Sequence, residues 1–265
     1  MKVASIYVGG GFIWARDHIA RGLVRLGVTP NMVTLAGLGF SIAAGVCLGL
    51  GERYWAAAAC CQIGAASGDM LDGAVARIGG RGSKFGGVFD STCDRIADFA
   101  LFAGLGYYFV GTWPASHGGQ INLTYALLAI LGALNGTLIS YIRARAKHEM
   151  AECGVGFWQR GERNAAMLIG TLAHNLPIIL WELGVAAGLT ALQRLLHARR
   201  ILAGRDAESP RRGVLGAMKA LLFFDRPRMT LVYDLYTGMF IALLIFARVP
   251  ETDILRRLMV VISGG

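Results

Sequence analysis

Residues 67–102 read SGDMLDGAVARIGGRGSKFGGVFDSTCDRIADFALF, and this stretch decides how the chain is to be read. Asp69, Asp72, Asp90 and Asp94 are set in two otherwise apolar runs of helical length. A carboxylate in hydrocarbon is costly unless a partner neutralises it. Asp69 and Asp72 stand three residues apart, and Asp90 and Asp94 four, so each pair falls on one face of its helix. Two facing pairs of oxygen donors suit a hard cation; left alone, four such charges repel one another and partly protonate. The pattern predicts a site for two magnesium or manganese ions, about 3.5 to 4 Å apart, clamping a phosphoryl group during in-line displacement.

The residues between the aspartates fit phosphate handling. Gly73 directly after Asp72, and Gly86 one turn before Asp90, remove side chains where a substrate must approach. Arg77, with Arg81 and Lys84, supplies cations for phosphate oxygens, and Ser83 a hydroxyl donor. The alternatives are an ion transporter and a polyprenyl-type transferase. A transporter would hold its carboxylates near the midplane, whereas these lie beside Arg77, Arg81 and Lys84 at one end of their helices. The polyprenyl type lacks the Gly-x2-Ala-Arg and Gly-x3-Asp-x3-Asp spacing.

The eight positions Asp69-x2-Asp72-Gly73-x2-Ala76-Arg77-x8-Gly86-x3-Asp90-x3-Asp94 match the signature of the CDP-alcohol phosphotransferase family, which the chain therefore resembles. The resemblance implies six transmembrane helices, a homodimer, and transfer of a phosphatidyl group from CDP-diacylglycerol to an alcohol with release of CMP. It implies Asp69, Asp72, Asp90 and Asp94 as metal ligands, with Asp94 also the base for the acceptor hydroxyl. It further implies that Gly73, Arg77 and Ser83, with the segment Thr29, Pro30, Asn31 and Met32, contact the CDP moiety. Within the family, residues 13–203 resemble the actinobacterial phosphatidylinositol phosphate synthases, in which the acceptor is inositol 1-phosphate. Basic residues at the ends of later segments, Arg143, Arg145, Arg160, Arg163 and Arg194, suit a pocket for that second phosphate. A glycerol 3-phosphate acceptor would need a similar pocket.

The remainder of the chain fits an all-α polytopic membrane protein. Of 265 residues, 55% are hydrophobic and 16% charged, too apolar for an ordinary soluble domain. At about 20 apolar residues per crossing, six spans are expected at 32–50, 54–76, 86–111, 122–142, 162–178 and 179–197. Ahead of them, residues 1–28 form an interfacial helix with Phe12, Ile13, Ile19 and Leu23 set against Arg16, Arg21 and Arg25. Gly64 and Gly68 have the spacing of a close helix contact.

With the amino terminus on the cytoplasmic side, nearly all loop arginines and lysines before residue 204 share that side and Arg53 alone faces the other. The reading is a multi-pass cell-membrane protein with its site facing the cytoplasm. The net charge of +9 then belongs to loops facing anionic lipid, and no nucleic-acid partner is expected. The five tryptophans near span ends read as interfacial anchors, and the odd set of five cysteines as reduced packing residues. A cleaved leader is not expected. The domains are thus 1–28, a catalytic 29–204, and a tail at 205–265 whose apolar run 229–247 reads as an interfacial or re-entrant hairpin, since a seventh crossing would carry Arg248, Arg256 and Arg257 against the charge rule.

Overall fold

The computed structural model describes residues 2–149, 155–203, 231–249 and 253–263; Cys153 and the polar linker expected around 204–213 lie outside them. The described residues are all-helical, as the composition predicts. The helices are α1 (Lys2–Arg25), α2 (Pro30–Leu50), α3 (Trp55–Ile78), α4 (Lys84–Tyr107), α5 (Leu123–Ala146), α6 (Arg160–Leu172), α7 (Leu176–Trp181), α8 (Ala187–Leu202), α9 (Leu231–Phe246) and α10 (Ile254–Ser263). A π-turn at Glu182–Ala186 joins α7 to α8 into one continuous rod.

Among the described residues, three stretches are long and apolar enough to cross a bilayer: Pro30–Leu50, Leu123–Ala146 and Leu176–Leu202. Helices α3 and α4, at 24 residues each, have the length, but the aspartates and arginines they carry lower their apolarity. Helix α6 has only 13 residues. The break between the fifth and sixth expected spans falls earlier than the sequence suggested. It lies at Ala173–Asn175, where His174 takes a positive φ of 52°, and Pro177 then occupies the first turn of the next helix.

Helix starts follow local chemistry. Thr29 accepts a hydrogen bond from the Met32 amide, with Pro30 as first helical residue of α2. Ser83 accepts from the Gly86 amide at the head of α4, and Asn122 from the Tyr125 amide at the head of α5. Helix α1 lies on the carboxy-terminal end of α3, burying Ala20 against Ala74 and Val75, with Ile13, Trp14 and Ile19 left exposed.

Helix α2 is the central strut, packed on both α3 and α4. Gly64 and Gly68 of α3 meet it at Phe40 and Gly37, the role their spacing predicts. On the other side the backbones of α2 and α4 touch. A Cβ on Gly45 would run into the Ala100 carbonyl, and one on Gly104 into the Gly45 carbonyl. The main core lies between α4, α5, α6 and the α7–α8 rod. Trp55, Trp113 and Trp158 are buried in it rather than facing a surface, because Tyr108, Phe109 and Phe157 offer ring partners there.

In the tail, Leu231–Phe246 is one helix, α9, alongside α6. Asn175 donates hydrogen bonds to the carbonyls of Leu244 and Ala247 at 2.9 and 2.6 Å, which satisfies the last turn of α9. Asp253 then accepts from the Leu123 amide and the Thr124 hydroxyl at 2.9 and 2.7 Å, fixing the head of α10 to the head of α5. Partial burial pushes the Asp253 carboxyl up, but hydrogen bonds from Thr124, Leu123 and Arg256 outweigh it and hold the group below the usual carboxylate range.

Gly104→Ala is expected to lower stability by about 1–3 kcal/mol, because the added methyl meets backbone, which cannot turn aside as a side chain can. Thermal unfolding in detergent, against Gly106→Ala as control, measures it; a Cβ at Gly106 meets only the Ala129 methyl, at 3.6 Å.

Candidate active site

The α3–α4 hairpin turns at 79–83, with Gly80 at φ +60°, so the last third of α3 faces the first half of α4. Asp69, Asp90 and Asp94 are thereby brought together, each placing a carboxylate oxygen within 4.8 Å of the others. Three carboxylates with no softer donor suit a hard divalent cation. Asp72 lines the same cavity, but its Oδ2 accepts from the Thr34 hydroxyl at 2.9 Å, drawing it toward α2. Thr34 has no partner in sequence-level reasoning; only the α2–α3 packing reveals it.

The cavity holds about 340 Å³. Thr34 and Ser41 of α2, the four aspartates, and Arg160 and Asn164 of α6 line it. Arg160 is the cation at its wall. Its Nη2 pairs with Asp94 Oδ1 at 2.6 Å, its Nη1 with Asp98 Oδ1 at 3.1 Å, and its Nε lies 3.8 Å from Asp69 Oδ2.

Beneath this pair is Asp98, 6% exposed. It is gripped by Arg163 Nη2 at 2.8 Å and Arg95 Nη1 at 3.8 Å as well as by Arg160. Arg163 is itself 4% exposed and also reaches the Trp158 carbonyl, while Arg95 donates to the Gly136 carbonyl at 3.1 Å. Asp98 is therefore the counter-charge that fixes three guanidiniums beside the acidic cluster. A close spacing was available as a signal, since Asp94, Arg95 and Asp98 fall within one turn and a half, but Arg95 carries no part in the motif.

The other arginines singled out in the sequence stand apart from the cavity. Arg194 is 2% exposed and donates to the carbonyls of Val155 and Ile139, tying the segment before α6 to α5. Arg143 and Arg145 are exposed at the end of α5, with Arg145 paired to Glu149 at 3.1 Å. The residues expected to meet a nucleotide gather at one end of the bundle. Asn31 Oδ1 and Ser83 Oγ both neighbour Gly86, at the heads of α2 and α4. Helix amino termini pointing together favour anions. Gly73 is open, with nothing within 4 Å of where a Cβ would be. Arg77 is largely exposed and pairs with Asp17 of α1 at 3.1 Å.

Comparison with known proteins follows the same line. The sequence profile of the CDP-alcohol phosphatidyltransferase family matches residues 27–202. The phosphatidylinositol phosphate synthase of Mycobacterium tuberculosis is 39% identical over 187 residues, 67% of this chain and 82% of that protein. The crystal structure of Mycobacterium tuberculosis phosphatidylinositol phosphate synthase in complex with manganese and citrate superposes with a TM-score of 0.62 at 34% identity, over 76% of this chain and 97% of the other. Its structure with CDP-DAG bound gives 0.61, over 73% and 98%.

Asp98→Asn is expected to cost about 3–5 kcal/mol by leaving buried Arg163 without its counter-charge. A drop in melting temperature with loss of turnover would be the outcome; unchanged melting would mean that Asp98 is dispensable to the arginine set.

Proposed function

The chain belongs to the CDP-alcohol phosphatidyltransferase family and is a metal-dependent phosphatidyltransferase; from that premise we propose that it transfers the phosphatidyl group of CDP-diacylglycerol to inositol 1-phosphate, releasing CMP. The observation that carries the proposal is the apposition of Asp69, Asp90 and Asp94 across the α3–α4 seam, with Asp72 lining the same cavity. Two divalent cations held by these four carboxylates would stabilise negative charge on the diphosphate and on the leaving CMP.

The protein's own groups supply the rest. The acceptor hydroxyl attacks the phosphorus that carries the diacylglycerol; a new P–O bond forms there as the bond to CMP breaks. The hydroxyl proton passes to Asp94. Arg160 holds Oδ1 of that carboxylate at 2.6 Å, whereas Arg95 stands off at 3.8 Å from Oδ2, so Oδ2 is the oxygen proposed to take it. Gly73, Arg77, Ser83 and the segment Thr29–Met32 would receive the CDP moiety, where two helix amino termini converge.

For the acceptor phosphate, Arg160 is the strongest of the five arginines, because it alone among them lines the cavity; Arg163 stands directly behind it on Asp98. The names of the relatives support inositol phosphate over glycerol 3-phosphate. We further propose six crossings for residues 29–204, made by α2, α3, α4, α5, α6 and the α7–α8 rod, with residues 1–28 at the interface and the site facing the cytoplasm, as the basic loops favour. A homodimer is proposed on the family's pattern alone.

Purified protein given CDP-diacylglycerol, manganese and labelled inositol 1-phosphate is expected to release CMP and form a labelled phospholipid, and chelation of the metal to stop it. Product with glycerol 3-phosphate instead would overturn the acceptor and keep the chemistry; no CMP with any alcohol phosphate would overturn both. Asp94→Asn is expected to lower kcat by about 10²–10⁴ with the fold kept.

A further inference from the structure

Helix α9 lies outside the residues that match the family, yet it is fastened to α6, which supplies Arg160 to the wall of the acidic cavity. The first turn of α6 is held from two sides. On its inner face, Arg160 and Arg163, three residues apart, reach Asp94 and Asp98. Glu162 lies about 130° around the helix from the midpoint between them. There its Oε1 accepts a hydrogen bond from the Tyr233 hydroxyl of α9 at 2.5 Å. Rings reinforce the grip on the residues that lead into α6. Phe157 packs on Tyr233 and Phe240 with centroids 5.6 and 4.9 Å apart, and Trp158 on Phe240 at 5.1 Å. The Trp158 carbonyl in turn takes a hydrogen bond from Arg163. At the far end, Asn175 holds the last turn of α9.

We infer that α9 is a clamp appended to the catalytic bundle, and that Tyr233 is a positioning residue: it holds Glu162 outward and so sets the first turn of α6, with Arg160 and Arg163, against Asp94 and Asp98. The hydroxyl anchors the outer face of α6 and so fixes the azimuth of the helix. The kinetic side of this inference rests on the phosphatidyltransferase reading above; the structural side does not.

The test is Tyr233→Phe in the full-length protein, which deletes one hydroxyl and keeps the ring on Phe157. Hydrogen exchange of the amides of Arg163 to Ala165 is expected to quicken about fivefold, the equivalent of one ordinary hydrogen bond. In steady-state assays the KM for inositol 1-phosphate is expected to rise by a similar factor, about fivefold, with the KM for CDP-diacylglycerol unchanged. A ring that merely filled space would not show the split between the two substrates. Unchanged exchange in α6 overturns the clamp whatever the kinetics. Quickened exchange with both KM values unchanged also overturns the assignment of Tyr233 to the arginines. A wild-type protein without turnover sinks the functional reading, and exchange alone then decides for or against the clamp.

Discussion

The arrangement depends on compensating several carboxylates held between two apolar helices. Asp69, Asp90 and Asp94 converge where α3 and α4 face each other across the cavity, Asp69 exposed and the other two half-buried, and hydroxyls and positive charge surround the acidic set: Thr34 of α2 on Asp72, Arg95 of α4 and Arg160 of α6 on Asp94, Arg163 of α6 on Asp98. The compensation is layered. Asp98 holds the arginines, the arginines face the outer carboxylates, and the outer carboxylates remain arranged for hard cations. Each layer lowers the cost of the next, which is how so many ionised groups persist in a bundle built for lipid.

A site of this kind needs walls that do not drift. The α2–α4 contact supplies one, since Gly45 and Gly104 let backbone meet backbone with no side chain between. In lipid, where no hydrophobic force presses helices together, such close approach is a principal source of attraction. Thr34 of that same α2 then reaches Asp72, so the strut that sets helix spacing also orients a proposed ligand.

Much of this was legible in the sequence, and the limits are instructive. The acidic quartet, its glycines and its basic loop announced themselves because metal and phosphate chemistry constrain residue type and spacing together. Helix starts were readable at Thr29 and Ser83 because a cap is a local device. Asp98 and Arg95 were less so: their meaning lies in contacts with α6, some 60 residues on, and no periodicity reports those. The two backbone carbonyls that Arg194 reaches, on Val155 and Ile139, were hidden for a related reason, since they lie 39 and 55 residues away in the chain. The three buried tryptophans show that position near a helix end does not distinguish an anchor from a core residue. The packing of α9 was not legible either, because it rests on the carbonyls that Asn175 captures and on the rings of Phe157 and Trp158, all distant in sequence.

That capture fixes the course of the tail. Helix α1 lies where Asp17 meets Arg77, while Asp253 and Arg256 reach the other end of the bundle, against Thr124 and Gln120. Helix α1 thus anchors beside the carboxy-terminal end of α3, and α10 beside the head of α5. The holding contacts of α9 are made to α6 and to the 173–175 turn, so they form only once those elements are in place. The order of assembly is therefore written into the tail: it completes a structure that must already stand.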